Sequence, residues 1–64
     1  MSSKKDLKAI LETILQLEEG ARDMYADHLN RFSNKKILKT YKFVHDEEVN
    51  HISIVKTMLG LLDL

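Results

Sequence analysis

Glu48-Val49-Asn50-His51 places a carboxylate and an imidazole three residues apart inside a long apolar repeat. Residues i and i+3 share one face of a helix, with Cβ atoms ~5–6 Å apart, so Glu48 and His51 could bind one metal ion. Alternating steps of four and three residues trace the stripe that contains both, through Ile37, Tyr41, Val44, Glu48, His51, Val55, Met58 and Leu62. This spacing predicts an amphipathic helix with both polar groups on its core-facing side.

The first half of the chain has a matching interruption. Glu18 breaks a mostly apolar stripe that runs through Leu7, Leu11, Ile14, Glu18, Ala21, Tyr25 and His28. Residue 33 is the midpoint between positions 18 and 48, and it lies in a tract of turn-forming Asn and Ser residues. A hairpin that turns there would bring Glu18 level with Glu48. Because a buried carboxylate or imidazole needs a partner, the three side chains predict a shared site.

The remaining local signals predict two long helices in a single domain that spans residues 1–64. Ser3 and Asp6 have the spacing of a capping box at the start of the first helix. We expect the helices at about residues 4–31 and 34–62, with a turn at about 32–34 and Ser33 or Asn34 as the second N-cap. Gly20 predicts either close approach of another helix beside Glu18 or a flexible point.

The composition excludes several classes of protein. The 64 residues include no Cys, which rules out disulfides and thiolate metal sites, so a metal or self-association is left to stabilise so small a chain. The formal net charge is zero, which gives no support for nucleic-acid binding. No apolar run approaches the ~20 residues of a membrane span. No apolar stretch follows the first lysines, so we expect no signal peptide and a cytoplasmic protein.

Both predicted helices carry apolar faces too wide for one neighbour. Ile10, Leu17 and Met24 flank the first stripe, and His45, Ile52 and Leu59 are among those that flank the second. The simplest closed arrangement is a homodimer of hairpins, which forms an all-α, antiparallel four-helix bundle; higher homo-oligomers remain open. Two copies would supply four Glu and two His, the ligand set of ferritin-like dinuclear bundles.

Two motifs resemble those of a known superfamily. Leu17-Glu18-Glu19-Gly20-Ala21-Arg22-Asp23-Met24-Tyr25 is similar to the first ligand helix of rubrerythrins and related ferritin-like proteins, and Asp46-Glu47-Glu48-Val49-Asn50-His51 resembles their second. A chain with one hairpin looks most like the encapsulated ferritins, whose two-helix subunits build a di-iron site across a dimer interface. The resemblance implies two iron ions per dimer, held by Glu18, Glu48 and His51, with Fe(II) oxidised by O2 or peroxide. It also implies roles in iron storage or detoxification and enclosure in a protein shell.

Several alternatives remain open from the sequence. Manganese or zinc would suit the same ligands. The chain could instead be a rubrerythrin-type scavenger of peroxide or O2 that uses an external electron donor, or a non-catalytic helical interaction module. The three polar groups could also form a metal-free hydrogen-bond network with Tyr25. If the three groups bind a metal, we expect Tyr25 to hydrogen-bond one of the ligands, since it lies one heptad beyond Glu18. His28 and His45 are not expected to bind the metal.

Overall fold

The computed structural model describes residues 3–63, so the outermost residues of the predicted 1–64 domain lie outside it. It contains two helices, α1 at Lys4–Leu29 and α2 at Lys35–Leu62, which pack against each other as an antiparallel hairpin. The hairpin is a rod with principal extents of 47 × 16 × 15 Å. The prediction of an all-α helical hairpin is therefore confirmed. No helix in the described part of the chain is both long and apolar enough to cross a membrane.

Local hydrogen bonds define where each helix starts. The Ser3 hydroxyl accepts a hydrogen bond from the Asp6 amide at 3.1 Å, and the Asp6 carboxylate accepts one from the Ser3 amide at 3.3 Å. The predicted capping box is thus confirmed. The Asn34 side chain accepts hydrogen bonds from the Lys36 and Ile37 amides, which makes Asn34, and not Ser33, the N-cap of α2.

The first helix ends at Leu29 rather than near Arg31, which corrects the predicted boundary. The Asn30 and Arg31 amides donate to the carbonyl oxygens of Asp27 and His28, respectively, at 3.1 and 3.0 Å. These bonds span three residues instead of four, so the last turn tightens and the α-helix stops. The Arg31 guanidinium then turns back to the Asp27 carboxylate at 2.9 Å.

The hydrophobic core of a single hairpin is small. Leu11, Ile52 and Val55 are the buried apolar residues among those described, and many other large apolar side chains remain exposed. Chains of this length usually gain stability from further contacts or a metal, because so small a core contributes little.

Most of the exposed apolar side chains share one side of the hairpin, opposite a polar groove. Arg22 of α1 and Val49, Ser53 and Lys56 of α2 line that groove together, so they mark one common side. Helical periodicity turns most of the other exposed apolar positions of both helices away from these residues. We call this other side the apolar face; it consists of Leu7, Ile10, Ile14, Leu17 and Met24 from α1 and Ile37, Ile54 and Met58 from α2.

Gly20 is exposed, and no atom would lie within 4 Å of a Cβ added to it. Within the hairpin, therefore, no helix approaches closely enough to require glycine. We predict that Gly20→Ala raises the free energy of unfolding by about 1 kcal/mol, because alanine loses less backbone entropy in a helix. Thermal unfolding followed by circular dichroism measures the change. A lower melting temperature would instead reveal close packing of another chain against this position.

Candidate metal centre

Glu18 of α1 meets Glu48 and His51 of α2 at the same height along the hairpin. The His51 Nδ1 atom lies 3.5 Å from the Glu18 Oε2 atom and 4.0 Å from the Glu48 Oε2 atom. One ligand atom from each of the three residues lies within 4.8 Å of the other two. The structure thus brings together the three side chains that the sequence singled out. They come from two helices, so their convergence depends on the hairpin and not on one helix alone.

The two carboxylates are only partly exposed, with side-chain accessibilities of 26% for Glu18 and 18% for Glu48. Their Oε2 atoms are inaccessible to solvent and have no hydrogen-bond partner among residues 3–63. Leaving such acceptors without a partner costs free energy, so native structures rarely do so without a reason. A bound cation would supply the missing partner for both oxygens.

The Glu18 carboxyl also changes the electrostatics of Glu48. The close approach of the Glu18 carboxyl, which can share a proton with Glu48, followed by desolvation and the negative charge of Glu18, raises the pKa of Glu48 above its ordinary value. His51 and Glu47 have smaller, opposing effects on the same pKa. The hairpin therefore holds two acids at a separation that favours a proton or a cation between them.

This raised pKa predicts how the metal-free protein responds to pH. The folded chain retains the Glu48 proton to higher pH than the unfolded chain, where the pKa is close to 4.5. The contribution of Glu48 to the free energy of unfolding therefore decreases as the pH rises from about 4.5 through the raised pKa of the folded chain. Glu48→Gln should remove this pH-dependent loss of stability. Chemical denaturation of the metal-free unmodified and Glu48→Gln proteins at several pH values measures their free energies of unfolding. Parallel pH profiles of the two proteins would contradict the prediction.

The donor set fits a transition-metal ion. Two ligand atoms that each lie ~2.1 Å from one ion can be at most ~4.2 Å apart. Both distances from His51 Nδ1 fall within this limit. Carboxylate oxygen and imidazole nitrogen suit Fe(II), Mn(II) and Zn(II). Three side chains leave further positions of an ion with six ligands open to water or to donors from another chain.

The exposed side of this three-residue group lies toward the apolar face. His51 is 47% exposed, whereas Glu48 is mostly covered. Helical periodicity places His51 on the same side of α2 as Ile54 and Met58. Ligands from outside the chain would therefore reach the three residues across the apolar face.

The other candidate residues lie toward the turn or the surface. The Tyr25 ring packs edge-on against Tyr41 with a centroid separation of 5.7 Å. Among the described residues, its hydroxyl donates no hydrogen bond to Glu18 or Glu48. His28 stacks against Phe32 and Tyr41 in the same aromatic cluster. His45 lies beside the Asp46 carboxylate at 3.2 Å and takes no part in the three-residue group.

The sequence analysis missed this aromatic cluster and the polar groove beside Arg22. The signal for the cluster was present in the heptad spacing of Tyr25 from Glu18 and of Tyr41 from Glu48. Across an antiparallel hairpin, equal spacing from two level residues brings the two rings to the same height. No spacing in the sequence predicts the groove, because the groove depends on the position of the long Arg22 side chain relative to α2.

Comparison with known proteins returns no match at the level of family models, curated proteins or solved structures.

Proposed function

We propose that this chain forms a homodimer that binds and oxidises Fe(II) at a dinuclear carboxylate site, as part of iron storage or detoxification. The observation that carries the proposal is the convergence of Glu18, Glu48 and His51, with two solvent-inaccessible carboxylate oxygens that lack a partner. A charged pair of acids in this setting is costly for a purely structural role. A divalent cation removes that cost and uses every group present.

The apolar face supports a second copy as the partner that completes the site. Most of its side chains are one-third to two-thirds exposed in the single hairpin, with Leu17 at 69%. A contiguous apolar patch rimmed by polar residues is typical of an interaction surface. If two apolar faces meet across a twofold axis, each hairpin contributes Glu18, Glu48 and His51 to one centre. The resulting four Glu and two His match the ligand set of dinuclear four-helix bundles.

The chemistry of Fe(II) oxidation balances with the substrates named. Two Fe(II) ions release one electron each; together they reduce one O2 to hydrogen peroxide with two protons, or one hydrogen peroxide to two water molecules with two protons. The carboxylates of Glu18 and Glu48 favour the more highly charged Fe(III) product electrostatically. His51 supplies a neutral nitrogen donor, and the surrounding apolar side chains limit access of bulk water to the site.

Stopped-flow absorbance provides the direct test. Anaerobic protein loaded with Fe(II) and mixed with O2 should produce Fe(III) absorbance at least tenfold faster than the same iron in buffer. His51→Ala should lose this acceleration, because it removes a ligand from each half of the centre. His45→Ala is the matched control and should retain it, since His45 lies outside the group.

The outcome separates the candidate functions. Rapid oxidation by O2 or by peroxide without an electron donor supports the ferroxidase. Peroxide turnover that requires an added reductant would indicate the rubrerythrin-type alternative instead. Tight metal binding with no oxidation would indicate a metal-stabilised helical module and overturn the proposal.

A further inference from the structure

The polar side of the hairpin contains a groove of about 530 Å³, opposite the apolar face. Apolar, hydroxyl and cationic side chains line this open groove; the lining residues are Arg22, Val49, Ile52, Ser53, Lys56 and Thr57. This volume falls within the range of small-ligand sites, ~300–1,000 Å³. Covering the apolar face with a second copy would leave this groove open to solvent.

The donors around the groove point to an anion. Arg22 comes from α1 and Lys56 from α2, so the hairpin brings two cations from different helices to one opening. None of the six lining residues is acidic. Among residues 3–63, Lys56 forms no ion pair, and the Ser53 hydroxyl forms no hydrogen bond. The hydrogen bond and negative charge of Asp23, together with the charge of Glu19, raise the pKa of Arg22. Lys56, in contrast, is not ion-paired within the described residues. The Lys56 ammonium, the remaining Arg22 N–H groups and the Ser53 hydroxyl together favour an oxyanion over a neutral or cationic ligand.

Arg22 keeps most of its binding capacity despite its neighbour. Its Nε–H donates to the Asp23 carboxylate at 2.9 Å. The guanidinium has five N–H donors in a fixed planar fork, so four remain. These suit the paired oxygens of a phosphate or carboxylate, which arginine binds through two parallel hydrogen bonds. Asp23 itself is not among the lining residues, and its bond holds the guanidinium in one orientation.

We propose that this groove binds a small oxyanion, a phosphate or a carboxylate, through Arg22, Ser53 and Lys56. The site is separate from the candidate metal centre, because none of its lining residues belongs to that group. It does not depend on iron or on the oxidation of iron.

Amide and side-chain NMR spectra of the metal-free protein test the proposal directly. Inorganic phosphate is titrated at constant ionic strength, and acetate is titrated in a parallel arm. We expect saturable shifts at the Arg22 Nε–H and at the amides of Val49, Ser53 and Lys56 with at least one of the two anions. The anion that saturates at the lower concentration identifies the ligand class.

Two substitutions on different helices make the result specific. Arg22→Gln and Lys56→Gln should each raise the dissociation constant at least tenfold, because each removes a charge-assisted contact. Lys39→Gln removes the same charge from an exposed position outside the groove and should leave the constant unchanged within twofold. Circular dichroism confirms that the variants remain helical. Shifts that never saturate, or an affinity of both groove variants unchanged from that of the unmodified chain, would overturn the proposal.

Discussion

Glu48→Ala is expected to abolish metal binding. In the proposed dimer the substitution removes two of six ligands, one from each copy, and leaves Glu18 and His51 without the third donor of their group. Loss of a ligand from both halves of a dinuclear centre should reduce bound Fe(II) from about two ions per dimer to near zero. Anaerobic reconstitution followed by elemental analysis measures the stoichiometry.

Glu47→Ala is the matched control for this experiment. It removes the same functional group from the neighbouring position, but Glu47 is exposed and lies outside the three-residue group. Its iron stoichiometry should equal that of the unmodified chain. Iron bound at full stoichiometry in Glu48→Ala would refute the assignment of the centre.

The same variant separates the effects of metal and charge on stability. Metal at a hundred times its dissociation constant should stabilise the unmodified protein by about 2.7 kcal/mol and leave Glu48→Ala unaffected. Without metal at neutral pH, Glu48→Ala should be more stable than the unmodified protein, because the substitution removes the repulsion between two close carboxylates. Thermal unfolding with and without metal shows both effects in one series.

Ile10→Glu is expected to dissociate the dimer. Ile10 is 50% exposed in the hairpin and belongs to the apolar face, so glutamate at this position disturbs the single hairpin little. Burying its charge against a second copy would cost on the order of 3 kcal/mol or more, about a hundredfold or more in the dissociation constant. Sedimentation velocity across a concentration series measures this change. Iron stoichiometry should fall with it, since the proposed centre requires both copies.

Gln16→Glu provides the control on the same helix. It introduces the same negative charge at an exposed position on the outer side of α1, away from the apolar face. The dimer should persist in this variant. A monomeric Ile10→Glu variant that binds iron normally would show that one hairpin holds the metal alone. The proposal of a centre shared between two copies would then be wrong.

Local signals made much of the fold predictable. The Ser3–Asp6 capping box depends on residues only three positions apart, so spacing alone identified it. For the second helix, spacing left Ser33 and Asn34 as alternatives, and the structure shows Asn34. The meeting of Glu18 with Glu48 followed from their symmetry about the turn, because an antiparallel hairpin places equally distant residues side by side.

Other features depend on tertiary geometry that spacing does not determine. The exposure of His51 beside the mostly covered Glu48 depends on how far each helix rotates about its own axis. The position of the Arg22 side chain at the groove depends on side-chain packing. The end of α1 at Leu29 depends on competition between helix and turn hydrogen bonds near Asn30. Helical periodicity locates a side chain around the helix axis too coarsely to predict any of these three features.

The three-residue core of the lone hairpin has a consequence for the lifetime of a newly made chain. With only Leu11, Ile52 and Val55 buried among residues 3–63, we expect an unpaired copy to open readily and expose its backbone to proteases. In the proposed dimer, pairing would protect the chain, but the encounter rate rises with the square of the concentration, whereas degradation of single copies rises only in proportion to it. The cell would then accumulate this protein steeply above a threshold rate of synthesis and clear it rapidly below that rate.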